Sequence, residues 1–315
     1  MSFVAAWVLL FYGAHVLTNA GAPHFALVLY PLPVALSLVQ GSPSKFFLWL
    51  LNAASVAYFN FGTFESALYY LAFAGTGSLL GFALRRGWTF TQATLTFTVG
   101  IFGYGLALLI PQWELAHTRS VALLEQWAAR YAADSDYAEE MREAVSAGIQ
   151  WMAQHWSDVV VGFFFGAALL YAAVNVSVFR FLARRLIANP PTISPFYTFR
   201  PNDYLVWLAI ATVIVVYIER FHAEPVLRFV AWNLAVALAS VYWLNGLAIT
   251  AFALHAFASN AWLYISTLFF VIFLFVNQAH PLWVTLGFFD LWVDWRRLLQ
   301  RWSARPPTNS LPPSE

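Results

Sequence analysis

FVAWNLAVALASVYWLNGLAITAFALHAFASNAWLYISTLFFVIFLFVNQAHPLWVTLGFF, from Phe229 to Phe289, runs for 61 residues without one Asp, Glu, Lys or Arg. A run of roughly 18 uncharged apolar residues already reads as a membrane span, so this stretch must cross a bilayer more than once. Within it Asn233, Ser240, Tyr242, Asn245, His255, Asn277 and Gln278 are polar groups carried into hydrocarbon with no charge beside them. Each needs a partner there. An interior site is therefore expected in this stretch first.

The rest of the 315 residues agrees: 61% are hydrophobic, 19% aromatic and 10% charged, against about 25% charged in an ordinary soluble domain. The class is an all-α polytopic transmembrane bundle. The 15 Trp, 14 Tyr and 30 Phe suit lipid contact and headgroup anchoring. A net charge of +1 offers no argument for nucleic acid, and none is expected as a partner. The absence of Cys excludes disulfides, thiolate metal sites and a thiol nucleophile. The opening MSFVAAWVLLFYGAHV lacks a basic n-region and an A-x-A-like site, so it reads as a retained first span.

Hydropathy, with Gly, Pro and charge as punctuation, predicts spans near 2–19, 24–40, 44–61, 64–84 and 89–110, then near 158–179, 203–218, 227–257, 261–278 and 282–297. The bundle thus has about 8–10 crossings, the last being short and amphipathic at its end. Domain boundaries follow: an N-terminal bundle over 1–110, an extracytoplasmic hairpin over 111–157, a C-terminal bundle over 158–297 and a disordered tail over 298–315. Counting crossings places Lys45, Arg85, Arg86, Arg180, Arg184, Arg185, Arg200, Arg296, Arg297, Arg301 and Arg305 on one face, which is 11 of the 16 basic residues. Positive charge marks the cytoplasmic side, so both termini are expected inside a bacterial cytoplasmic membrane. Glu65, Glu219, Glu224 and the segment 111–157 fall on the opposite side.

That segment has seven acids against three Arg and reads as two helices. Leu124, Trp127, Ala128 and Tyr131 form one apolar face, Asp134-Ser135-Asp136 breaks the chain, and Met141, Val145, Ile149 and Met152 resume it. It is either a hairpin lying on the outer membrane surface or a docking surface for a partner.

Gly77 and Gly81 make G-x-x-x-G in the fourth span, and Gly100, Gly103 and Gly105 lie in the fifth, so these two spans are expected to touch. No H-E-x-x-H, Walker loop, G-x-G-x-x-G or paired His at metal spacing occurs. Gly75-Thr76-Gly77-Ser78 resembles a serine nucleophile's setting, but a protease would need a base on a facing helix, for which only His15, His24, His255 and His280 are candidates. No enzyme activity, cofactor or metal is expected. Asp290 and Asp294 share a helix face, with Arg297 and Arg301 continuing down it. They read as a salt-bridged helix end, with Asp294 and Arg297 at i, i+3, or as a proton relay.

The candidate ligand-binding residues are Asn245, Gly246, Tyr242, His255 and Asn233, while Asp290, Asp294, Arg296 and Arg297 are structural or ion-pair candidates. Gly246 is the least hindered place for the long eighth span to bend, and Asn245 beside it can satisfy a freed carbonyl or hold a ligand. Interhelical hydrogen bonding that only holds the bundle together explains the same residues at about 0.6–2 kcal/mol per contact. Tyr30-Pro31-Leu32-Pro33 removes two backbone donors from the second span, a break of the kind that accompanies binding sites.

Several patterns occur in order: Pro31-Leu32-Pro33-Val34-Ala35-Leu36 with Gly41, Gly81 to Trp88 (GFALRRGW), Phe199 to Trp207 (FRPNDYLVW), Leu244-Asn245-Gly246-Leu247-Ala248, and Gly287 to Arg296 (GFFDLWVDWR). Together they resemble the YybS-like family of bacterial membrane proteins, in which Gln usually precedes the Gly-Leu of the eighth span where this chain has Asn245. The resemblance implies a distant relation to the substrate-binding S subunits of energy-coupling-factor transporters. It further implies binding of a small molecule from the outer face, with a separate ATPase module as partner, since the chain has no nucleotide motif of its own. A non-catalytic scaffold or assembly partner for other membrane proteins is the alternative.

Overall fold

The fold is given by a computed structural model that describes residues 31–39, 75–133, 139–187, 189–219, 224–276 and 280–303. The described residues hold α-helices, two 3-10 turns and no strand. In chain order the helices are α1 (Pro31–Val39), α2 (Gly77–Arg85), α3 (Phe90–Leu109), α4 (Trp113–Ala133), α5 (Glu139–Gln154), α6 (Trp156–Leu186), α7 (Tyr204–Glu219), α8 (Pro225–Ala256), α9 (Ala261–Val276), α10 (His280–Val293) and α11 (Trp295–Ser303). The stretches Phe90–Ala133, Trp156–Leu186 and Pro225–Ala256 are long and apolar enough to cross a membrane, and Tyr204–Glu219 and Ala261–Phe273 are shorter apolar helices. Of the expected features, the spans near 2–19 and 44–61, the break at Gly21 to Pro23, Tyr30, Gly41, Lys45, Glu65, the Asp134 to Asp136 turn, the Met141 side chain, Asn277, Gln278 and the end of the chain from Ala304 lie outside the described residues.

Two compact units emerge, residues 1–193 with 209–237 and residues 194–208 with 238–315. Helices α7 and α8 contribute to both.

In the first unit, Thr89 and Gln92 form a reciprocal capping box that fixes the start of α3. Before it, Gly87 at φ +70 ends α2, with Trp88 N–H donating to the Ala83 carbonyl and Gly87 N–H to that of Leu84. This Schellman ending needs the left-handed conformation that glycine adopts without strain. The G-x-x-x-G of α2 does not face α3 as expected. A β-carbon on Gly77 would strike the Pro31 carbonyl, and one on Gly81 would sit 2.9 Å from the Ala35 carbonyl, so the pair packs on α1. Helices α2 and α3 do touch, through Leu79 lying over Gly100. Gly105 accommodates Phe164 of α6, while Gly103 meets nothing within 4 Å. Leu32, Leu80, Leu84, Phe90, Phe97, Leu169 and Phe179 fill the resulting core.

No loop separates α3 from the hairpin, because a 3-10 turn over Ile110–Gln112 carries the chain directly into α4. Helices α4 and α5 pack on each other through Ala128, Ile149 and Ser146, whose hydroxyl donates to the Ala128 carbonyl at 3.3 Å. On the apolar face expected there, Ala128 and Ile149 are buried, and Trp127 and Tyr131 are exposed.

In the second unit α8 and α10 approach until their backbones touch. A β-carbon on Gly246 would strike the Trp283 carbonyl, and one on Gly287 the Tyr242 carbonyl. Helix α8 is helical throughout Pro225–Ala256, and Gly246 serves close packing within it. The expected span over 282–297 is also corrected. It breaks after Val293, where Asp294 takes the left-handed conformation at φ +46, and α11 follows. Asp tolerates that conformation because its short side chain bonds locally, and here its Oδ1 accepts the Arg297 N–H at 3.3 Å and caps α11. The tail expected from 298 therefore begins no earlier than the end of α11 at Ser303. Leu298, Leu299 and Trp302 give that segment the helical apolar period that a disordered tail lacks.

Candidate functional site

The polar core of the second unit is built on Arg296, the second residue of α11, whose side chain is 14% exposed. Its Nη1 donates to Asp290 Oδ2 at 2.5 Å, its Nη2 to the Phe199 carbonyl at 2.7 Å and to Asn245 Oδ1 at 3.1 Å, and its Nε to the Tyr197 carbonyl at 3.2 Å. The planar fork of a guanidinium suits this divergent arrangement, which a lysine could not reproduce. Asn245 completes the network. Its Nδ2 donates to the Gly287 carbonyl at 2.9 Å and lies 3.5 Å from Asp290 Oδ2. The close approach at Gly246 and Gly287 brings this short amide within reach of α10.

Asp290 is 2% exposed, and a carboxylate so placed is tolerable only because a cation and an amide neutralise and solvate it. Only one of its oxygens is so served. Asp290 Oδ1 and the Tyr242 hydroxyl are both buried without a hydrogen-bond partner among the described residues. Both residues line one narrow cleft with Asn245, Arg200, Asp203 and Phe288, and the space between these side chains takes about one water-sized group. At its edge Arg200 and Asp203 pair at 3.8 Å and are largely exposed.

The candidates from sequence divide accordingly. Tyr242 and Asn245 line the cleft, and Gly246 lies behind it as packing. His255 does not join them: it is exposed about 15 Å further along α8, where its ring stacks on Tyr197 at 4.7 Å. Asn233 belongs to the first unit, where its Oδ1 accepts the Gly162 N–H at 2.7 Å and its Nδ2 donates to the Phe229 carbonyl at 2.9 Å. Asp294 pairs with Arg297 at 3.6 Å on an exposed helix start. Asp290 is apart from it, buried and bound to Arg296, so the two acids do not form one interfacial face. Tyr197, Phe199, Arg200, Asp203 and Gly287 were not among the site candidates. All but Tyr197 lie in the FRPNDY and GFFD stretches, whose sequence says nothing of backbone carbonyls turned toward an arginine about a hundred residues on.

Residues 7–291 match the family described as "Predicted membrane protein (DUF2232)". Neither the curated proteins nor the solved structures give a significant match.

Proposed function

We propose, from the premise that the chain belongs to this family of predicted membrane proteins, that it binds a small polar solute in its C-terminal unit as a non-catalytic, transport-related component. The observation that carries this is the pair of buried, unpartnered acceptor and donor atoms, Asp290 Oδ1 and Tyr242 Oη, at one cleft. An unmade hydrogen bond on a buried group costs about 1–3 kcal/mol, so a ligand group that donates to Asp290 Oδ1 and accepts from the Tyr242 hydroxyl recovers energy that the protein alone leaves unused. The surrounding Arg296 and Asn245 hold the carboxylate still and bring no nucleophile and base together, which favours binding over catalysis. The cleft's size restricts entry to one polar group, such as an amine or hydroxyl, with the rest of the solute lying toward Arg200 and Asp203.

The YybS-like order of motifs, and through it the likeness to transporter S subunits, supports the same reading. On it the chain lies in the bacterial cytoplasmic membrane with both termini inside and draws power from a separate ATPase module. The test is a thermal-stability screen of the purified full-length protein against amines, amino acids and vitamins, with Tyr242→Phe as the control. The hydroxyl has no partner among the described residues, so this variant keeps the unliganded stability. A solute that stabilises the native protein and not the variant supports the reading; stabilisation equal in both refutes this site.

A second reading, an assembly scaffold, is favoured by the hairpin, where Leu115, Leu123, Trp127, Tyr131 and Trp151 are large apolar side chains left exposed. Co-purification that is lost on Trp127→Ser and Tyr131→Ser, with no solute found by the screen, would establish it instead.

A further inference from the structure

Helix α11 is chemically unlike the helices before it. Projected at 100° per residue, Trp295, Leu298, Leu299 and Trp302 fall on one face, and Arg297 and Arg301 fall together on the opposite one. Trp302 is 52% exposed, the Arg297 side chain is 71% exposed, and Arg301 is exposed as well. The helix follows α10, which at 14 residues spans only about 21 Å, short of the roughly 30 Å hydrocarbon core. The left-handed turn at Asp294 lets α11 leave the direction of α10.

We propose that α11 lies in the headgroup layer and binds anionic phospholipid, with Arg297 and Arg301 on the phosphates and the Trp302 face in the acyl boundary. A short helix with arginines on one side and Trp and Leu on the other is what an interfacial, charge-seeking helix requires. A neighbouring protein is a poorer occupant, because among the described residues the polar face pairs only once, with Asp294 at 3.6 Å, and leaves the Arg301 charge to be met from outside. The helix also carries Arg296, so the lipid that seats α11 seats the arginine bound to Asp290 and Asn245. Headgroup composition thereby reaches the buried network through a single rigid helix.

The native chain has no cysteine, so an environment-sensitive nitrobenzoxadiazole label on Trp302→Cys reports on α11 alone. The full-length protein is reconstituted in phosphatidylcholine vesicles with and without phosphatidylglycerol. Each arginine near an anionic surface is worth about a fivefold partition factor, so the ratio of membrane-embedded to water-exposed label should rise about ten- to thirtyfold with phosphatidylglycerol. The rise should disappear in about 0.5 M salt and in Arg297→Gln/Arg301→Gln, and survive in Arg297→Lys/Arg301→Lys. A label equally shielded in both vesicles and indifferent to salt means that protein covers this face, and overturns the proposal. A label in water in both vesicles overturns it too.

Discussion

Replacing Arg296 by methionine keeps most of the side chain's bulk and removes its charge from Asp290. The carboxylate then remains 2% exposed with only the Asn245 amide, 3.5 Å away, to solvate it. Breaking one side of a buried pair costs about 3–5 kcal/mol, because the other charge is left uncompensated. The Phe199 and Tyr197 carbonyls lose their donor in the same step. At about 2 °C per kcal/mol for a chain of this size, the melting temperature falls by roughly 6–10 °C. Asp290→Asn should cost less, since the arginine keeps three other acceptors. In Arg296→Met/Asp290→Asn no buried charge remains, so the double variant should lie above the sum of the singles by about 2 kcal/mol. The assay is thermal unfolding of the detergent-solubilised protein, followed by ligand-free size-exclusion stability. Strict additivity of the two substitutions, or an Arg296→Met variant melting within about 1 °C of wild type, would refute the assignment of Arg296 as the hub.

Further expectations follow from the same contacts. Asp294→Asn should cost less than about 1 kcal/mol, because both partners of the Asp294 and Arg297 pair are substantially exposed, whereas Asp294→Val should cost more by straining the φ +46 turn; thermal melts separate the two. Gly246→Ala and Gly287→Ala each push a β-carbon into facing backbone and should destabilise by about 1–3 kcal/mol, while Gly103→Ala meets open space and should stabilise by up to about 1 kcal/mol. For topology, single cysteines at Gln126 of α4 and Ser303 of α11 should react with an impermeant maleimide in intact cells only at Gln126. Equal labelling of both would overturn the inside placement of the C-terminus.

The ends predicted near 89–110, 203–218 and 227–257 fall within two residues of α3, α7 and α8, because helix breakers and charges stop the apolar run there. Arg180 misled in the same role: the span expected to close near 179 continues as α6 to Leu186. Gly246 shows where such reading stops: glycine permits both a bend and a close approach, and the facing Trp283 carbonyl that reveals the close approach belongs to another helix. The partner of the Gly77 and Gly81 pair was hidden for the same reason, since small residues announce a contact without naming its other side. Asn233 and Gly162 are 71 residues apart, a pairing that no local period encodes. The separation of Asp290 from Asp294 depends on one left-handed residue, which cancels the i, i+4 geometry that an unbroken helix would have imposed. Arg296 was visible as a charge at the end of a span, but three of its four partners come from two distant segments, 51 to 99 residues away.

The most direct measurement is an experimental map of the full-length protein in lipid nanodiscs, with and without the solute that stabilises it. The account predicts solute density whose polar group lies within about 3.2 Å of both Tyr242 Oη and Asp290 Oδ1, with the Arg296 and Asn245 contacts kept. Solute density elsewhere, with water alone between these two atoms, would contradict it.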